Sequence, residues 1–193
     1  MRGKFMFKNV IEVSHHIIKG HLQTGMTALD ATIGNGHDTL LLAQIVGQSG
    51  QVYGFDLQEQ AIENTEALLE KHHCQKQVSL YHDSHAKISQ YLKADDYLDL
   101  VIFNLGYLPK GDKSIITKPE STIPAIEASL SRLKPEGILL VAAYLGHPGG
   151  REEAQAIQDY LSQINQDKYS ASHFEFLNQK HLPPKLFLVE RRS

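Results

Sequence analysis

An alternation restricts the fold of this chain more than any other feature. Short apolar runs recur at Met26–Ala31, Gln51–Asp56, Val78–His82, Leu98–Asn104 and Ile138–Tyr144, with helix-forming segments between them. Runs of this length suit strands, and Leu98–Asn104 is apolar on both alternating faces, as a central parallel strand must be. Before the first run, Val10–Leu22 carries apolar residues at helical spacing. His37–Val46, Gln58–His72, Ala86–Leu92, Ile123–Leu133 and Glu152 to about Asn165 supply the later helices. Lys134-Pro135-Glu136-Gly137 is expected to close the fifth of these six helices. Strands alternating with helices build a parallel sheet. The last two runs, Tyr169–Leu177 and Lys185–Glu190, follow one another without a helix, so they are expected as an antiparallel hairpin. The expected fold is α/β and Rossmann-like, with a central, mostly parallel seven-stranded sheet and a C-terminal antiparallel edge hairpin. No repeat or linker interrupts the 193 residues, so one domain over 1–193 is expected.

The formal net charge is -3, so bulk electrostatics do not mark a nucleic-acid binder, and any RNA contact must come from a local basic patch. The one cysteine, Cys74, cannot form an internal disulfide, which fits a reducing cytoplasm. It lies in His72-His73-Cys74-Gln75, which reads as a surface turn. No apolar run approaches the ~20 residues a membrane helix needs. There are eleven histidines, but neither His15-His16 nor His72-His73 has ligand spacing, and no metal is expected.

The strongest motif is Leu29-Asp30-Ala31-Thr32-Ile33-Gly34-Asn35-Gly36-His37-Asp38-Thr39, between the first strand and a helix. Gly34 and Gly36 allow a tight turn and a close approach of ligand to backbone. Asp56 ends the second strand about twenty residues after Gly36, where a ribose-binding carboxylate is expected. A dinucleotide site would show a third glycine where Thr39 stands. The carboxylate of Asp30 would repel a pyrophosphate but favour a sulfonium and an ammonium. The loop therefore suits S-adenosylmethionine, with a dinucleotide or a plain glycine turn as the alternatives. Asp83 is placed to meet the adenine amino group with Ser84 beside it, or else the pair is a helix cap. Gln58 either lines the ribose or adenine edge or merely starts a helix.

The fourth run ends in Asn104-Leu105-Gly106-Tyr107-Leu108-Pro109. This resembles the Asn-Pro-Pro-Tyr motif of methyltransferases that act on amino groups, with both prolines replaced. There the Asn amide oxygen accepts a hydrogen bond from the target nitrogen, and the aromatic ring stacks on a planar group. The alternative is a strand-end turn with a packed tyrosine. Asp112 is a candidate acceptor for a proton from the amine, or else part of a solvated Gly-Asp-Lys turn. The long loop Gly106–Ser121 carries Lys110, Lys113 and Lys118, candidates for phosphate contacts; Arg2, Lys4 and Lys8 are further basic candidates.

Four motifs together carry a resemblance: Asp30 to Thr39, Asp83-Ser84-His85, Asn104 to Lys113, and His147-Pro148-Gly149-Gly150. The chain resembles, from about Ser14 to Glu190, the bacterial MnmM/YtqB-type tRNA methyltransferases long labelled rRNA methylases. The resemblance implies a class I methyltransferase fold. It implies Asp30, Gly34, Asn35, Gly36, Asp38, Thr39, Asp56, Gln58 and Asp83 around S-adenosylmethionine, with Asn104 bordering it. It places Asn104, Tyr107, Asp112, Lys113 and His147 around the substrate; His147 otherwise reads as a turn residue and Lys113 as a solvated loop charge. The implied reaction methylates the amine of wobble 5-aminomethyl-(2-thio)uridine, with the tRNA anticodon stem-loop as partner. Another RNA site, a small amine, or a cofactor-binding module without its own catalysis remain the other readings. A homodimer stays open, since the sequence carries no signal of oligomeric state.

Overall fold

The structure is a computed structural model, and it describes residues 6–108, 112, 115–180 and 182–193. Seven strands form one sheet: β1 (Thr27–Asp30), β2 (Gln51–Asp56), β3 (Val78–His82), β4 (Leu98–Leu105), β5 (Leu133–Ala143), β6 (Tyr169–Phe174) and β7 (Lys185–Arg191). Their order is β3-β2-β1-β4-β5-β7-β6. The first five are parallel, and β7 runs antiparallel to both β5 and β6. The expected sheet is thus present, with β7 lying inside β6 at the edge.

Among the described residues, six α-helices accompany it: α1 (Val10–His21), α2 (His37–Val46), α3 (Glu59–Lys71), α4 (Ile88–Tyr91), α5 (Pro119–Arg132) and α6 (Gly150–Leu161). Strand alternation sends neighbouring side chains to opposite faces. Leu29, Val101 and Phe103 join Ile88, Ile126 and Ile157 in one buried cluster. Ala28, Leu100 and Ile102 join Ile18, Leu42 and Leu69 in the other. So α1, α2 and α3 cover one face, and α4, α5 and α6 cover the other.

Several boundaries differ from expectation. Helix α5 starts at Pro119, a position whose missing N–H costs nothing because first-turn donors are unpaired anyway. Lys134-Pro135-Glu136-Gly137 does not close a helix; it bulges out of β5. Leu133 pairs with Leu98, and pairing resumes at Ile138 with Leu100. Glu136 takes a left-handed conformation with φ 68°. A Cβ on Gly137 would come within 2.8 Å of the Lys134 carbonyl oxygen, so only glycine fits this bulge. Helix α6 ends at Leu161, short of Asn165, and β6 ends at Phe174, short of Leu177. Cys74 is buried with Leu69 and Val46, not exposed in a surface turn. The segment 83–92 is a 3-10 turn at His85–Lys87 leading into α4, with the Ser84 hydroxyl capping it by accepting from the Ala86 N–H.

Two absences concern the described residues only. None of their helices is long and apolar enough to cross a membrane. No three of their His, Cys, Asp or Glu side chains are grouped to hold a metal ion.

Candidate active site

The sheet order reverses between β1 and β4, and a crevice opens beyond the carboxyl ends of strands at such a point. A cavity of about 890 Å³ lies there, lined from the β1–α2 loop, the ends of β2, β3 and β4, and the turn after β5. That volume is ample for a nucleoside cofactor together with part of a substrate.

The loop between β1 and α2 is tied from beneath. Asp30 is fully buried; its carboxylate accepts from the Thr39 hydroxyl at 2.7 Å and from the Thr32 N–H at 3.1 Å. Gly36 caps α2 with φ 76°, and a Cβ there would meet the Thr65 hydroxyl oxygen of α3 at 2.5 Å. Asp30, Gly36 and Thr39 thus shape the loop without lining the cavity, and Gly34 and Asn35 line it.

Asp56 lines the cavity at the end of β2. One oxygen accepts from the Gly34 N–H and the other from the Gln58 N–H, both at 2.9 Å. Burial raises its pKa, and those backbone donors oppose the rise. Gln58 also lines the cavity; its side-chain oxygen accepts from the Asp112 N–H at 3.1 Å. Asp112 itself is exposed and does not line the cavity. Asp83 also lines the cavity. The Lys87 ammonium, the Tyr91 hydroxyl and the Ser84 N–H all donate to its carboxylate, which holds its pKa down to about 2. Ser84 acts as the cap and does not line the cavity.

At the end of β4, Asn104 donates its side-chain N–H to Asp38 at 2.7 Å, and its backbone N–H donates to the Thr32 hydroxyl at 2.6 Å. Past it, the Leu105 carbonyl accepts from the Tyr144 N–H and the Gly106 carbonyl from the Thr117 N–H. Tyr107 is half exposed, and its ring meets His147 edge-on at 6.3 Å. His147 is buried, with Nδ1 donating to the Pro148 carbonyl at 3.0 Å. Lys118 is exposed at the N-cap of α5 and does not line the cavity. Lys110 and Lys113, with Arg2 and Lys4, lie outside the described residues, and Lys8 is exposed beside Glu12.

Four contributors escaped the sequence reading. His15 of α1 bonds Asp38 at 2.6 Å and lines the cavity. Glu153 of α6 is buried and accepts from the Thr117 and Thr122 hydroxyls, each at 2.7 Å, which ties the start of α5 and the segment just before it to α6. His85 lines the cavity with Nδ1 donating to the Ala31 carbonyl, and burial lowers its pKa to about 4, so its ring is neutral. Gln179, Lys180, Leu182, Pro183 and Pro184, between the last two strands, form another wall. Glu153 had no sequence signal, because it follows Glu152 in a polar helix start.

Asp38 and Asp56 set carboxylates on the cavity wall, Asp30 lies buried beneath the loop, and the cavity holds both donors and acceptors. That set fits a cationic nucleoside and disfavours a pyrophosphate. It also predicts a pH dependence. Burial, and next the Asp38 charge, raise the Asp30 pKa to about 7 against the bonds from Thr39 and Thr32. Between about 4 and 7 the folded apo-protein therefore holds more protons than the unfolded chain, and its stability falls as pH rises through that window. A cationic cofactor favours the ionised form, so binding at pH 6 must expel a proton that is already gone at pH 8. Affinity for S-adenosylmethionine should tighten up to about tenfold over that range, one pKa unit being about 1.4 kcal/mol. Calorimetry in buffers of different ionisation enthalpy measures the released proton. A pH-independent affinity with buffer-independent heat would remove this linkage.

Comparison with known proteins agrees with this geometry. Residues 52–190 match the family described as "Putative rRNA methylase". Residues 9–90 also match the protein-L-isoaspartate O-methyltransferase family. A tRNA (mnm(5)s(2)U34)-methyltransferase of Arabidopsis thaliana chloroplasts is 37% identical over 96% of this chain and 71% of its own length. A crystal structure from Clostridium thermocellum described as a "putative rRNA-methylase" superposes with TM-score 0.93 at 39% identity, covering 97% of this chain and 100% of that one. A Streptococcus mutans methyltransferase in complex with SAH gives 0.86 at 36% identity, covering 96% and 99%. The cofactor is accordingly S-adenosylmethionine. With strand order, cavity and charge all in accord, the chain belongs to this rRNA-methylase family of S-adenosylmethionine-dependent class I methyltransferases.

Proposed function

We propose that the chain methylates the primary amine of 5-aminomethyl-(2-thio)uridine at the tRNA wobble position, giving the 5-methylaminomethyl form. The observation that carries this reading is the Asn104 amide. Asp38 takes its N–H, so its oxygen is left as an acceptor at the mouth of β4. An acceptor there suits a nitrogen nucleophile, because it binds an N–H and turns the lone pair away. The name of the Arabidopsis relative supplies the nucleoside.

S-adenosylmethionine supplies a methyl group on a sulfonium that leaves as a neutral thioether, so no acid is needed at the leaving atom. What remains for the protein is placement, which lowers a bimolecular barrier substantially. Asn104 orients the amine, and Tyr107 with its exposed ring stacks on the uracil. The amine must arrive neutral, and the new N–CH3 bond leaves a secondary ammonium whose proton passes to water. His147 meets the Tyr107 ring edge-on beside the proposed stacking face. Lys110, Lys113 and Lys118 are proposed to meet anticodon-loop phosphates. A wobble base is already unpaired, so presenting it costs less than extracting a base from a duplex. One domain over residues 1–193, working in the cytoplasm, carries the activity.

The test incubates purified tRNA bearing the aminomethyl nucleoside with the protein and cofactor, followed by nucleoside mass spectrometry. The expected result is a gain of one methyl on that nucleoside alone. No gain, where calorimetry shows cofactor bound, would sink the substrate and favour another RNA site or a small amine.

A further inference from the structure

We propose that His15, acting through Asp38, is a positioning residue that holds the Asn104 amide in the one orientation useful for methyl transfer. Three elements meet in a line: α1 contributes His15, the first turn of α2 contributes Asp38, and the end of β4 contributes Asn104. His15 Nε2 lies 2.6 Å from one Asp38 oxygen, and Asn104 Nδ2 lies 2.7 Å from the other. All three side chains line the same cavity.

The chemistry fixes each role. An ionised carboxylate only accepts, so the Asn104 atom facing it must be the nitrogen, and the amide oxygen points elsewhere. An amide has nearly the same shape when flipped, so packing alone does not choose its orientation. Asp38 makes that choice only if its own carboxylate is held, and the terminal torsion of an aspartate is broad. His15 holds it from the opposite side. A carboxylate accepts only, so the contact selects a ring that carries its hydrogen on Nε2. The histidine is itself anchored, because Val10, Val13, Ser14 and Ile18 of α1 are buried.

The inference rests on the reading that Asn104 orients the nucleophile, and its test has an arm that needs no substrate. In a 15N-labelled sample, the Asn104 side-chain amide should show one proton shifted downfield and slow to exchange. In His15→Ala and His15→Met, neither of which can donate, that proton should exchange at least about tenfold faster. Turnover at saturating cofactor and aminomethyl tRNA should fall about tenfold, with cofactor Kd and tRNA KM within about threefold. His15→Gln can donate from its amide nitrogen and should recover most of the turnover and the protected proton. An unchanged Asn104 proton in both non-donor variants overturns the proposal. So does unchanged turnover, a loss that glutamine does not repair, or a tenfold rise in cofactor Kd with turnover intact. Wild-type protein that leaves the aminomethyl tRNA unmethylated defeats the substrate reading instead, while the amide resonance still decides the contact.

Discussion

Asn104→Ala is expected to lower turnover about a hundredfold or more while cofactor affinity stays within about threefold. The asymmetry follows from where the side chain spends its two ends. Its nitrogen is committed to Asp38, and its backbone N–H to the Thr32 hydroxyl. Only the amide oxygen is left to act on the nucleophile, and that contact tightens as the nitrogen nears the methyl group. Removing it therefore raises the barrier more than it weakens the ground state. Asn104→Asp makes the converse test. It would set two carboxylates side by side where one amide now donates to the other, and it should be at least as damaging at neutral pH. Single-turnover rates at saturating cofactor, with calorimetry on the same samples, separate the two quantities. A variant that methylates at the normal rate would end the amino-group reading of this motif.

The sheet was legible because buried strands must be apolar on both faces, and Leu98 to Asn104 can be little else. The antiparallel end was legible because two strands without a crossover helix cannot be parallel neighbours. Where reading failed, a local rule yielded to tertiary context. Lys134-Pro135-Glu136-Gly137 has every mark of a helix stop, yet the chain uses it to bulge one strand back into register with Leu100. Cys74 looked like a turn residue because histidines precede it. Its side chain instead turns inward against α3 and the neighbouring sheet face.

The site was legible where a single segment carries it. Asp56 and Asn104 sit at strand ends, and Gly34 and Asn35 in the loop after β1, and such places can be read from apolar runs. Their partners were hidden because they come from far along the chain. His15 is 23 residues from Asp38, and Glu153 is 36 from Thr117. Neither spacing means anything until the sheet brings α1 and α6 to opposite sides of the β4 end. Gln179, Lys180, Leu182, Pro183 and Pro184 were equally hidden, since a short connection between two strands gives no sign that it walls a cavity.

Asp56→Ala should weaken binding of S-adenosylmethionine about ten- to a hundredfold, because a hydrogen bond to a charged group contributes roughly 1.5–3 kcal/mol. The Asp56 oxygens accept backbone N–H groups from Gly34 and Gln58, and the residue lines the cavity, where a carboxylate has lone pairs left to accept more. A vicinal diol is the natural complement of two such acceptors. The same bonds mean that asparagine is no mild replacement. Its NH2 group would face either the Gly34 or the Gln58 N–H, donor against donor, so Asp56→Asn should lose as much affinity as alanine. Comparing cofactor with demethylated product separates a ribose contact from a charge effect. The two share the ribose and differ by the methyl group and sulfonium charge, so a diol contact predicts equal losses for both. Calorimetry on folded variants gives both affinities, with thermal melting as the folding control. Unchanged affinity would remove Asp56 from the ribose, and a loss confined to the sulfonium form would make it a counter-charge instead.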